Sequence, residues 1–432
     1  MQQAIGKYRW TICTLVFFAT TINYLDRQVI SLVKDTLDTE FKWNKSDYAN
    51  ITVAFQLAYA IGLFGAGRLI DKLGTKIGYA LSLTLWSIAA MCHGFIKTMS
   101  GFFAARAALG ITEAGNFPSA IKAVAEWFPK KERAFATGIF NSGTNIGAII
   151  APLSVPFIAE SIGWRWTFVL TGLTGLIWLI FWFRLYEIPA KSKRLKKEEF
   201  DYIHSDKDEA ANETTGDSAK ATWGRLLQFK QTWAFATGKF LTDGVWWFYL
   251  FWLPDFLKEQ YGLVKTAIAF PIALVYTIAA VGSIFGGWLP MYLIKKGWPV
   301  FKARKTSMLI YALCALPVVL AQLFGGYNMW FAICIIGFAA AAHQGWSANI
   351  FTTVSDMFPR FAVGTVTGIG GMAGGLGSIL ISKGAGYLFD YYKSLGHIQT
   401  GYLIMFIICG LAYILGWFIM QWLVPKSKTV IL

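Results

Sequence analysis

The apolar residues of this chain come in long blocks, each near the ~20 residues a helix needs to cross hydrocarbon. They are not spaced as the core of a soluble domain would be. Twelve blocks can be counted, at about 9–33, 48–70, 76–97, 100–126, 133–157, 165–187, 232–257, 266–294, 305–325, 329–356, 362–389 and 400–424. The expected fold class is an all-α polytopic membrane protein. One long hydrophilic stretch, Glu187 to Lys230, divides six blocks from six. The predicted organisation is an amino-terminal half at 1–187, a linker at 188–231 and a carboxy-terminal half at 232–432. A short amphipathic helix is expected in the linker near Lys191–Ile203. The first block is full length and carries Asp26 and Arg27, so it reads as a spanning helix and not as a cleaved signal.

Composition agrees. Only 15% of the 432 residues are charged, against about 25% in a typical soluble domain. The net charge of +15 is a matter of topology and not a footprint for nucleic acid. Lys and Arg gather in alternate loops, at Arg68, Lys72 and Lys76, at Lys130, Lys131 and Arg133, and at Lys191 to Lys197. They return at Lys295 to Arg304, Arg360, Lys426 and Lys428. In the intervening loop 34–47, Lys34, Lys42 and Lys45 are balanced by Asp35, Asp38, Glu40 and Asp47. By the positive-inside rule both termini are expected in the cytoplasm. The five cysteines lie in apolar blocks with no disulfide or metal spacing, so no metal or cofactor is expected.

Four ionisable residues sit where a bilayer penalises them: Asp26 and Arg27 in the first block, Arg106 and Glu113 in the fourth. A charge at bilayer depth costs roughly 2.5–3.5 kcal/mol on insertion scales, so it normally faces a partner or a water-filled path. Asp26 and Arg27 are neighbours and point about 100° apart on a helix. Arg106 and Glu113 are two turns apart on one face. Desolvation favours a neutral carboxyl and a nearby guanidinium favours the charged one, so this pair could relay a proton. Acids and bases together at depth point to an ion-coupled carrier of a charged solute.

The halves are related. Glu126-Trp-Phe-Pro129, Thr137-Gly138 and Gly147 are matched 230 residues later by Asp356-Met-Phe-Pro359, Thr367-Gly368 and Gly377. Two parallel halves of six helices resemble the major facilitator architecture, in which substrate binds midway between them. The loop Gly67-Arg-Leu-Ile-Asp71-Lys72-Leu-Gly74-Thr-Lys76 resembles that superfamily's loop signature, and its Gly67, Asp71, Lys72, Gly74 and Lys76 are assigned gating or structural roles. Asp71 is placed to cap or pair with a neighbouring helix end. Span one ends Asn23-Tyr-Leu-Asp-Arg27. Span four contains Arg106-Ala-Ala-Leu-Gly-Ile-Thr-Glu113, and span five Asn141-Ser-Gly-Thr-Asn145. Together these look like the anion:cation symporter family, closest in flavour to bacterial hexuronate transporters.

That resemblance implies roles. Arg27 would hold the substrate carboxylate, Asp26 and Glu113 would take protons, and Arg106 would couple them. Tyr24 and Tyr59 would donate hydrogen bonds to substrate, and Thr144 and Asn145 would face the cavity. It further implies import of a monocarboxylate sugar acid with protons by alternating access, in a bacterial inner membrane, by a chain for which nothing demands an oligomer. An organic-anion exchanger and a sodium-coupled symporter stay open.

Other residues carry two readings each. Lys239 and Asp243 are one turn apart, either as a structural pair or as a pair that substrate anion splits. Trp246 and Trp247 suit sugar stacking as well as lipid contact. His343, Gln344, Trp346 and Asn349 make a polar run in span ten, of which Gln344 and Asn349 suit sugar hydroxyls and His343 either titrates or sits bonded in the core. Lys383 is a second anion contact or a packing charge. Gly370, Gly371, Gly374, Gly375 and Gly377 form a small-residue face suited to sliding helix contacts.

Overall fold

The computed structural model describes residues 6–43, 45–205, 222–263, 269–426 and 429–430. The linker stretch 206–221 and Lys428 lie outside the described residues. The helices of the first half are α1 (Tyr8–Leu32), α2 (Lys34–Phe41), α3 (Lys45–Leu73), α4 (Thr75–Cys92), α5 (Met99–Glu113), α6 (Asn116–Trp127), α7 (Lys130–Ile162) and α8 (Trp164–Leu185). In the linker are α9 (Lys197–Ile203) and α10 (Trp223–Leu226). The second half holds α11 (Lys230–Tyr261), α12 (Ala269–Lys295), α13 (Val300–Ala315), α14 (Ala321–Gly325), α15 (Met329–Met357), α16 (Val363–Ser394) and α17 (Ile398–Leu423).

Among the described residues, nine helices are long and apolar enough to cross a membrane. The other three spans are α1, α5 with α6, and α11. These are the helices that carry Asp26 and Arg27, Arg106 and Glu113, and Lys239 and Asp243. The fourth span falls short because its two helices are only 15 and 12 residues long.

Three expectations need correction. Span four is not continuous: it breaks at Ala114–Gly115, immediately after Glu113. Pro118 has no N–H to return to the Ala114 carbonyl, which removes one bond of the helical ladder at this point. Asn116, the first residue of α6, fixes the break by accepting from the Tyr79 hydroxyl at 2.7 Å. The loop at 34–47 contains a helix of its own, α2. The linker helix is shorter than Lys191–Ile203, starting at Lys197. It is held by Glu199, which is 3.1 Å from Arg9, while Tyr202 donates to Glu132 at 2.7 Å.

Within the first half α1 packs on α7, α3 on α5 and α4 on α8; within the second, α11 packs on α16 and α17, and α12 on α15. The halves meet along two seams, α7 against α12 and α3 against α16. The described ends of the chain and the described parts of the linker lie at one face, where Arg9 meets Glu199 and Val430 N–H donates to the Met357 carbonyl at 2.8 Å.

On that linker face the halves are locked by charged side chains on helix ends. Asp71 accepts from the amides of Gly364 (3.1 Å) and Thr365 (2.6 Å) and from the Thr365 hydroxyl (2.7 Å), capping the start of α16. Lys122, 2.8 Å away, balances its charge. The helix dipole makes such an anion favourable at a helix start. From α7, Arg133 donates to the Ser355 carbonyl at 2.6 Å. From α13, Arg304 pairs with Asp356 and donates to the Lys130 carbonyl at 2.6 Å.

The rest of the loop motif divides into close approach and support. Gly67 is where α3 touches α16: a Cβ there would run into the Gly364 carbonyl. Gly74 sits at φ 78° in the turn, Lys72 is exposed, and Lys76 lies 2.6 Å from Glu187. That hydrogen bond holds the Glu187 carboxyl below its ordinary carboxylate range.

Gly67→Leu is expected to keep the linker face from closing, because backbone blocks the new side chain and cannot swing away. The closed contact should be weakened at least about tenfold, a destabilisation of about 1.4 kcal/mol. A cysteine placed at Ser355 should become labelled from the linker face. Unchanged labelling would show that the contact yields.

Candidate functional site

Between the halves lies a cavity of about 930 Å³, including the space at its mouth. Its first-half wall comes from Tyr24, Arg27, Gln56, Tyr59, Asn141 and Thr144. Its second-half wall comes from Lys239, Asp243, Trp246, Trp247, His343, Gln344 and Ser347, with Thr367, Ser378 and Ser382 from α16. The locks just described lie on its linker side. Toward the opposite face the lining residues Gln56, Ile379 and Ser382 are partly exposed.

Arg27 reaches the cavity because α1 and α7 come close: Gly147 leaves room for the Thr21 carbonyl, which would lie 2.5 Å from a Cβ there. The guanidinium is clasped by aromatics, 4.6 Å from the Tyr24 ring, 4.7 Å from Tyr59 and 5.1 Å from Phe55. Such cation–π contacts hold it in place and contribute on the order of 0.5–2 kcal/mol each. Behind it stands Glu113, whose Oε2 accepts from Arg27 Nε at 3.1 Å and Nη2 at 3.0 Å. The Glu113 side chain is fully buried, and its other oxygen has no hydrogen-bond partner. The arginine faces the cavity while the carboxylate does not.

Arg106 and Asp26 form a layer behind this pair. Arg106 donates to the Arg27 carbonyl at 3.5 and 3.4 Å. Asp26, 1% exposed, points away from the cavity toward Thr171 of α8, with Glu113 and Arg106 as its charged neighbours. Neither of its oxygens makes a well-formed hydrogen bond. A carboxylate so placed is stable only if neutral or compensated by charge, and Arg106 is the cation at hand.

The opposite wall has an acid–base pair of its own. Lys239 Nζ lies 2.7 Å from Asp243 and 4.0 Å from the Phe351 ring centroid. Trp246 stacks on the His343 imidazole, with centroids 5.1 Å apart and planes at 12°, and His343 Nδ1 meets the Tyr413 hydroxyl at 2.7 Å. The two rings make one flat wall. Gln344 spans the halves: its Oε1 accepts from Asn141 at 2.7 Å, and its Nε2 donates to Asn145 at 3.4 Å.

Of the residues singled out in the sequence, Tyr24, Arg27, Tyr59, Thr144, Lys239, Asp243, Trp246, His343 and Gln344 share this cavity. Asn145 lies behind its wall. Asn349 does not reach it: its amide donates to the Gly286 and Gly345 carbonyls, both at 2.8 Å, and clamps α15 to α12. Lys383 is exposed on α16, about 100° around from the lining residue Ser382, and is not among the lining side chains. Of its two readings, an anion contact or a packing charge, this position outside the lining does not favour the first. Asn141, Gln56, Ser347, Ser378 and Ser382 were not singled out as candidates. Asn141 stood inside the span-five motif, and the others are small polar residues with no mark of their own.

Comparison with known proteins matches this arrangement. The family model described as Major Facilitator Superfamily matches residues 16–382. The hexuronate transporter of Escherichia coli (strain K12) is 32% identical over 428 residues, covering 99% of this chain and 96% of that protein. The D-galactonate transporter of Escherichia coli O6:H1 is 28% identical over 395 residues, covering 90% of each. The structure of the proton:xylose symporter XylE bound to 6-bromo-6-deoxy-D-glucose superposes with a TM-score of 0.74 at 19% identity, covering 98% of this chain and 97% of the other. Twelve spans in two halves, a charged cavity between them and relatives that match over most of their length make this chain a membrane transporter, and it belongs to the major facilitator superfamily.

Proposed function

We propose that this chain carries a six-carbon sugar acid, a hexuronate or hexonate, into the cell together with protons by alternating access. The observation that carries the reading is the Arg27–Glu113 pair, with its cation on the cavity wall and its carboxylate buried behind it. Arg27 can serve Glu113 or a substrate carboxylate. When Glu113 takes a proton, the guanidinium fork is released for the substrate, to which it fits bidentately. When the substrate leaves, Glu113 is drawn back to Arg27 and gives up its proton. Binding of anion and proton is thereby tied together without direct contact between them. Arg106 and Asp26 provide a second acid–base layer through which the proton can be exchanged.

The sugar body would lie on the Trp246–His343 wall, with hydroxyls exchanging hydrogen bonds with Gln344, Asn141 and Thr144. The basic linker face supports a cytoplasmic assignment by the positive-inside rule, so the closed locks would lie inside and the cavity would face outward. The names of the curated relatives, hexuronate and D-galactonate transporters, support the substrate class.

The test is uptake of labelled D-glucuronate into proteoliposomes with and without an imposed inward proton gradient. Each coupled proton makes one pH unit worth about 1.4 kcal/mol, or tenfold accumulation. Gradient-driven accumulation is expected. Uptake that ignores the gradient would overturn proton coupling in favour of exchange or sodium, and no uptake would overturn the substrate class.

A further inference from the structure

The cavity has two cations, and the proposed function uses only one. Among the described residues lining it, Arg27 stands on the first-half wall and Lys239 on the second. Each carries its own carboxylate: Glu113 for Arg27 at 3.0 Å, Asp243 for Lys239 at 2.7 Å. The two pairs differ in one respect. Glu113 is buried behind Arg27 and does not line the cavity, whereas Asp243 lines it beside Lys239, its side chain 19% exposed. A lysine 4% exposed, deep in a membrane protein, that nevertheless borders an open cavity is held there at a desolvation cost. A purely structural i,i+4 pair gains nothing from bordering the substrate space, where water weakens it.

We infer that Lys239 forms a second anion subsite, which takes the far carboxylate of a six-carbon diacid whose near carboxylate is held by Arg27. This rests on the proposed function, whose sugar-acid site it extends. The two cations stand on opposite walls of one cavity, so a linear acid charged at both ends would span the halves and draw them together. Lys239 lies along one stripe of α11 with Asp243 and Trp246, at steps of four and seven residues, so an acid resting on Trp246 has both charged groups in line. The ammonium has three donors, and Asp243 takes one of them. An acid with a hydroxyl at its far end still binds, through hydrogen bonds to Lys239 or Asp243. A carboxylate there needs the ammonium's charge and is opposed by Asp243. The subsite therefore grades ligands by the charge of their far end.

The experiment is calorimetric binding of D-glucuronate, charged at one end, and D-glucarate, charged at both, to the purified transporter. The wild type is expected to bind both. Lys239→Gln keeps a donor and removes the charge; it should weaken glucarate at least tenfold and glucuronate less than threefold. Asp243→Asn removes the opposing carboxylate and keeps the ammonium, and should strengthen glucarate at least threefold relative to glucuronate. This second variant serves if the first does not fold. Equal losses for both acids in Lys239→Gln would overturn the subsite, as would weakened glucarate in Asp243→Asn. Wild-type protein that binds glucuronate and not glucarate would overturn the subsite alone and leave the proposed function standing. Binding of neither acid would overturn both.

Discussion

Arg27→Ala is expected to lower sugar-acid affinity at least about a hundredfold, near 3 kcal/mol, while the protein stays folded. The loss has two sources. The fork that would grip a carboxylate with two parallel N–H groups is gone, and charge-assisted pairs of this kind are roughly twice as strong as neutral hydrogen bonds. The aromatic clasp of Tyr24, Tyr59 and Phe55 is left without its cation and can collapse into the space. Removing one partner of a buried ion pair normally costs 3–5 kcal/mol. Here Glu113 can take a proton in place of its lost partner, so folding should survive. Arg27→Lys separates charge from shape: it keeps the cation and loses the fork, and an intermediate affinity is expected. Calorimetric titration with D-glucuronate measures both variants, and thermal unfolding of the same samples tests their integrity. Undiminished affinity in Arg27→Ala would remove the carboxylate grip from this residue and take the coupling scheme with it.

The fold was legible in the sequence because the bilayer imposes it: blocks of about 20 apolar residues leave few alternatives. The three spans outside the nine were still recognised, because each is itself an apolar stretch near the length a membrane requires. The break after Glu113 had a visible cause in Pro118, but membrane helices often tolerate proline, and residue type alone does not separate a kink from an interruption. The site was legible as a set of residue types and less so as a geometry. Span ten shows why. His343, Gln344, Ser347 and Phe351 recur at helical spacing and share one stripe facing the cavity, whereas Asn349 falls almost opposite that stripe at about 100° per residue. A polar run suggested one face when the helix had turned past it, and Asn349 was drawn to the Gly286 carbonyl of its neighbour. Lys383 kept two readings for the same reason, since knowing that a helix lines a cavity does not say which of its sides does. Asp71 was the opposite case, because a carboxylate in a loop signature has few helix ends within reach, and the expectation that it caps one matches its bonds to Gly364 and Thr365.

Glu113→Gln is expected to separate binding from energy coupling. The amide has the shape of the protonated acid and cannot release a proton, so it fixes the state in which Arg27 is free for substrate. Affinity for D-glucuronate should be retained or improved, and exchange of internal for external sugar acid should continue. Uphill accumulation should vanish: a pH difference of one unit, worth up to about tenfold per coupled proton, should leave the internal concentration no higher than the external. The buried position of Glu113 makes this outcome specific. Its side chain does not line the cavity, so the substitution changes no substrate contact directly and reaches the substrate through Arg27, its hydrogen-bond partner. A merely structural Glu113 would give a different pattern, in which binding, exchange and accumulation fall together and thermal stability falls with them. Full accumulation by the variant would move the coupling proton elsewhere, and Asp26, buried against Arg106 and away from the cavity, would be the carboxylate to examine next.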